Sequence, residues 1–182
     1  AGAVYISKDC KGSIHDSKML GNAADEDGGA VYVVEANEFA IADCNIADNT
    51  ALRGGGIFAL ESPKLTVTNC RIESNQAYRS VTYQTDPNDP NTTVTDDDFI
   101  GEGGGIFAFA SIKTLEHCQI TYNTAKTSGG GVYIADIVLP VKNCLIAKNE
   151  SGRDGGGLSI NWFATVDVNN CTIADNIAAN FD

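Results

Sequence analysis

Four sets of residues in this 182-residue chain have the types and spacing to do chemistry. Asp86, Asp89, Asp96, Asp97 and Asp98 crowd into the stretch TDPNDPNTTVTDDD, Thr85 to Asp98, and an all-oxygen ligand set of that kind suits Ca²⁺. The spacing matches no EF-hand loop and lacks its Gly and terminal Glu, so a solvated acidic loop is the competing reading. Calcium is the one cofactor suggested; otherwise none is expected. The same stretch holds a glycosylation sequon, Asn91-Thr92-Thr93. Tyr5, Tyr32, Phe58, Phe107 and Tyr133 form an aromatic series that could bind sugar rings, pack against another molecule, or simply stack. Cys44, Cys70, Cys118, Cys144 and Cys171 could oxidise in pairs or hold a soft metal. With no CxxC and no His in register, they read instead as small buried hydrophobes. Cys10 stands apart as the one candidate reactive thiol, and His15 and His117 read as isolated surface or turn residues. The fourth set is charged: Asp27, Arg53, Glu102, Ser128 and Asp154. On a solvent-exposed face its ion pairs would contribute little.

What lines these residues up is a repeat. The hexapeptide GGGIFA occurs at Gly54 and again at Gly103, with near copies AGAVY at Ala1, GGAVY at Gly28, GGGVY at Gly129 and GGGLS at Gly155. The second glycines fall at 2, 29, 55, 104, 130 and 156, a period of 26 to 27 with one interval of 49. About twenty residues after each comes an apolar residue, two variable ones and an asparagine: Asn22, Asn49, Asn75, Asn123, Asn149 and Asn176. The five aligned cysteines each precede that asparagine by five residues, with Ser17 in their place in the first unit.

A fixed period of this length signals a solenoid. Within each unit the signals are short alternating runs such as Val31-Tyr32-Val33, Ile57-Phe58-Ala59 and Leu65-Thr66-Val67, bounded by Gly, Asn, Asp or Ser. About three short strands and no helix are expected per unit. A 26-residue unit cannot bury its own face, but stacked units can. The expected fold is an all-β parallel β-helix of about six coils, one domain over residues 1–182. At about 4.8 Å per coil it would stand roughly 29 Å tall. An acidic insertion of 23 residues, placed at 79–101, separates coils three and four. The glycines suit a tight turn where a side chain would collide with the next coil. Val4, Val31, Ile57, Ile106, Val132 and Leu158 then face inward and the aromatic series outward. The asparagines read as a structural ladder, tolerant of left-handed turns and able to hydrogen-bond from coil to coil.

The combination GG[AG][IV][YF], then xNC, then IxxN, resembles the right-handed parallel β-helix repeats of the pectin-lyase-like superfamily, in particular the polymorphic outer-membrane-protein repeats. Ile or Met stands where those repeats have Phe in the second tetrapeptide. The resemblance covers nearly the whole chain outside the insertion. It implies a right-handed coil, and functions that range from polysaccharide lyases and hydrolases to adhesins and stalks. Its lyase-like reading would make Arg53 a catalytic base between carboxylates that hold calcium.

The formal charge of −12 argues against nucleic acid as a partner, and no apolar run is long enough to span a membrane as a helix. Neither end departs from the repeat. Joining the C-terminal NFD to the N-terminal AGAVY regenerates DAGAVY, close to Asp27–Tyr32. The expected partner is therefore a second copy stacked end to end, or the continuation of a longer β-helix, with a glycan or cell-surface partner besides. The functional expectation is a non-catalytic structural β-helix, extracellular or at the cell surface: a filament subunit, stalk or adhesin segment. A polysaccharide lyase or hydrolase, or a carbohydrate-binding β-helix, is the alternative.

Overall fold

In this computed structural model, residues 1–78, 81–84, 93–96 and 101–179 are described, with backbone alone for 81–84 and 93–96. The second coil gives the plan: strands Val31–Val34, Glu38–Ala42, Asn45–Ala47 and Thr50–Ala51, then the glycine turn into Ile57. Repeated along the chain, these build four parallel sheets of six, six, six and five strands, one sheet per side of the coil. Register is kept throughout the first sheet, where Val4, Val31, Ile57, Ile106, Val132 and Leu158 pair in succession. The fourth side was missed because its strands are two residues long, too short to alternate. Between the third and fourth coils runs an antiparallel hairpin, Val81–Gln84 with Thr93–Asp96. All the described elements are strands, and no helix among the described residues is long and apolar enough to cross a membrane.

Inward positions from three sides meet in a single core. Ile57, Ile106 and Val132 of the first sheet face Val67, Leu115 and Val141 of the second and Ile72, Ile120 and Ile146 of the third, all fully buried. Parallel pairing stacks like on like, so each coil adds one more aliphatic layer.

A square coil needs four corners, and each turns on a residue with left-handed backbone. Glu35, Glu61 and Asp136 turn the first corner, Asp43, Asn69 and Asn143 the second, and Asp48, Ser74, Tyr122 and Lys148 the third. Gly28, Gly54, Gly103, Gly129 and Gly155 turn the fourth. Asp and Asn tolerate this conformation best among residues with a Cβ, and glycine adopts it freely. The ladder asparagines themselves are not left-handed; the residue just before each one is. Their identity is therefore set by the amide and not by the turn.

The second glycine of each motif answers to space. A Cβ on Gly104 would lie 2.5 Å from the Thr124 carbonyl oxygen and would also overlap the Gly130 carbonyl of the next coil. Only hydrogen fits there.

Candidate functional site

The asparagine ladder and the cysteine series are used up inside the coil. Asn75 Nδ2 donates to Asn123 Oδ1 (3.0 Å) and to the Ile46 carbonyl (2.9 Å), while its Oδ1 accepts from Asn49 N (3.1 Å) and Asn49 Nδ2 (2.9 Å). The pattern runs from Asn22 through Asn149 to Asn176 Oδ1, so the interior amides have both ends occupied. Ser62 and Ser111 add a shorter column at the first corner: Ala36 N donates to Ser62 Oγ (3.0 Å) and Ser62 N to Ser111 Oγ (2.9 Å). The thiols of Cys44, Cys70, Cys118 and Cys144 are buried and Cys171 half-buried, each donating to the carbonyl two residues earlier. Burial pushes the Cys44 thiol above its usual range, and the neighbouring Cys144 and Cys70 thiols push Cys118 the same way. Packed in an apolar column, these side chains act as small hydrophobes.

The aromatic series does leave the coil on its outer side, and of its three readings the stacked one is found, not an open stripe. Tyr5, Tyr32, Phe58, Phe107 and Tyr133 stack face to face, with centroids 4.8 to 5.2 Å apart. Only Tyr5, at 63 % exposure, is open; Phe58, Phe107 and Tyr133 are at 1, 4 and 6 %. The cause is a second outward row two residues on, in which Leu60, Phe109 and Ala135 pack against the rings. Arg53 covers them from the other flank, its guanidinium carbon 5.0 Å from the Phe58 centroid and 5.3 Å from that of Phe107. The ring faces are thus occupied by one another, and outward from the coil does not mean open to water.

The charged series is likewise not the solvent-exposed ladder its spacing suggested. Arg53 grips the buried Asp27 with two bonds, Nε to Oδ1 (2.9 Å) and Nη2 to Oδ2 (2.7 Å). Burial works against charge on Arg53, but the Asp27 contact outweighs it and holds the guanidinium pKa above its ordinary value. Glu102, on the other side of Arg53, is half-buried. Burial raises its pKa, and Arg53 and a hydrogen bond with Tyr133 only partly offset that rise. Tyr133 is pushed up to about 12 by burial and by the Glu102 charge. Ser128 and Asp154 pair as a backbone bridge further along the column.

These residues enclose a cleft of about 290 Å³ lined by Tyr32, Arg53, Leu60, Glu102, Phe109 and Tyr133, with Trp162 as its rim. Trp162 sits at the corner of the sixth coil, where the backbone is left-handed at both Trp162 and Phe163. Its carbonyl accepts from Asp136 N (2.8 Å). The indole reaches past the small Ala135 to meet Phe109 edge-on at 6.2 Å and 86°, and remains 67 % exposed. It is the aromatic ring at the cleft with a free face. Sequence reasoning passed it over, although SINWF places Trp162 at the corner where earlier coils have Glu35, Glu61, Ala110 and Asp136.

His15 and His117 are exposed, beside Asp16 and Glu116 respectively, and Cys10 is exposed near Ser7. Asp86, Asp89, Asp97 and Asp98 lie outside the described residues, as do the Asp96 side chain and Asn91-Thr92 of the sequon. Among the described residues no group of three or more His, Cys, Asp or Glu side chains is arranged to hold a metal ion.

The sequence model of the right-handed β-helix region matches residues 1–180. No curated protein and no solved structure matches the sequence.

Proposed function

Because the chain belongs to the right-handed β-helix family, we propose that it acts as a non-catalytic structural column, extracellular or at the cell surface, that carries one saccharide-binding cleft. The observation behind the binding role is the free face of Trp162 above a cleft with few polar groups, Arg53, Glu102 and Tyr133 among them. An apolar wall with a small number of convergent polar atoms is the usual make-up of a ligand site. A sugar ring offers a matching apolar C–H face and hydroxyl rim.

Two features favour binding over cleavage. Glycoside hydrolysis uses a pair of carboxyl groups across the scissile bond, whereas Glu102 is the single carboxylate among the described residues of the cleft lining. A base must give up its proton, and Asp27 works to keep the Arg53 proton in place. The test is a glycan array on the purified chain beside Trp162→Ala, with release of reducing or unsaturated ends measured from the same glycans. Binding that disappears in Trp162→Ala, without product, is the expected result. A blank array, or turnover lost in Arg53→Ala, would overturn it.

A second copy stacked end to end, or the continuation of a longer β-helix, is the partner proposed for the last coil. There the inward Ile173 is about half-exposed, while its register partner Ile146 one coil back is fully covered. An added coil covers such surface and continues the sheets, a head-to-tail contact that does not close. Electron microscopy and light scattering across concentration check it: fibres support stacking, and monomers at every concentration exclude it.

A further inference from the structure

We infer that the cleft beneath Trp162 selects an uncharged sugar unit and rejects a uronate. The inference rests on the saccharide reading above and adds the charge of the ligand. Its basis is how completely Arg53 is committed. Its Nε and Nη2 are bonded to Asp27, its flat face lies on Phe58 and Phe107, and the Glu102 charge stands on its other side. Two carboxylates and one guanidinium leave the group one negative charge in excess when Glu102 is ionised. No second cation lines the cleft among the described residues. A bound carboxylate would have no unpaired cation to meet, and would be desolvated beside like charge within a chain of net charge −12.

Hydroxyl groups meet no such obstacle. The guanidinium hydrogens not given to Asp27 can donate to a neutral oxygen, and Glu102 can accept from one beside its bond with Tyr133. A fixed donor next to a fixed acceptor matches two neighbouring hydroxyls of a pyranose. At about 290 Å³ the cleft is at the small end of ligand sites, which fits one ring with its free face on the indole and not a long stretch of chain.

The test is isothermal titration of the chain at pH 7 and low salt with matched trisaccharides, neutral galactotriose, maltotriose and cellotriose against trigalacturonate. The neutral series should contain a ligand bound at least about tenfold more tightly than the uronate. Glu102→Gln, checked for folding by circular dichroism, should raise uronate affinity several-fold by removing the excess charge. Uronate binding equal to or tighter than every neutral sugar would overturn this inference while leaving the saccharide reading intact. No binding of any of the four, together with a blank array, would overturn both.

Discussion

Asn75 and Asn123 are 48 residues apart in sequence, yet their amides meet at 3.0 Å, as closely as those of Asn123 and Asn149, which are 26 apart. Each amide in this column is donor to one neighbour and acceptor for the other. Removing one therefore strands partners on both sides. Asn75→Ala leaves Asn49 N and one of the two Asn49 Nδ2 hydrogens without an acceptor, the other still bonding the Met19 carbonyl, and takes the amide donor from the Ile46 carbonyl, all in a dry core. At roughly 1–3 kcal/mol for each orphaned group the loss should exceed about 3 kcal/mol. A thermal melt falling by about 6–12 °C would be the readout. A drop of less than about 2 °C would mean that water fills the gap and that the column is dispensable.

The aromatic ladder and the tryptophan rim should separate cleanly under mutation. Phe58 is buried between two stacked rings, so Phe58→Ala should cost about 3–5 kcal/mol. Trp162 is mostly in water, and Trp162→Ala should change stability by less than about 1 kcal/mol while removing glycan binding. Urea unfolding of the two variants measures the first contrast, and titration calorimetry the second.

Glu102 gives a stability effect with a defined sign. Its pKa in the folded chain is raised, so the folded state holds the proton more tightly than the unfolded state does. What this carboxyl contributes is fully present below the unfolded-state pKa of about 4.3 and is lost as pH rises through the folded value. Glu102→Gln, whose amide oxygen can still accept from Tyr133, should thus melt slightly higher than the parent at pH 7–8, by about 1–2 °C. The difference should shrink to nothing near pH 4. A variant melting lower at neutral pH would show that the ionised group stabilises the fold through Arg53.

Glycine positions should rank by what surrounds them. Gly104→Ala forces a methyl into the Thr124 and Gly130 carbonyls and should cost about 3 kcal/mol or more. Gly21 is left-handed, as Gly104 is not, but has open space around its Cβ, so Gly21→Ala should cost only about 1 kcal/mol, the conformational term alone. Equal costs at the two sites would remove the collision argument.

Most of the fold was readable because a parallel coil turns a sequence period directly into a spatial column. Gly55 and Gly104, Asn75 and Asn123, and Cys70 and Cys118 align on the repeat alone. Outer packing resisted the same treatment. Alternation tells Ile57 from Phe58 as inside and outside the coil, but says nothing of Leu60 and Phe109 folding over the outer row. Nor does a period predict a departure from itself. Trp162 belongs to no column, reaches across a neighbouring coil, and yet forms the rim of the cleft. The left-handed residue at the third corner was misassigned by one place, since an asparagine beside a turn invites the wrong credit. Ser74, Tyr122 and Lys148 carry no such signature.

The hairpin between the third and fourth coils bears on how this architecture accepts new sequence. On either side of the excursion, Gly55 N still reaches the Gly103 carbonyl at 3.1 Å, and Asn75 N still reaches Asn123 Oδ1 at 3.0 Å. Neither closure records how many residues were spent between them. The corner just before the glycine turn is thus a permissive address. Foreign loops can be grafted there and displayed beside the cleft without renegotiating the register of a single layer.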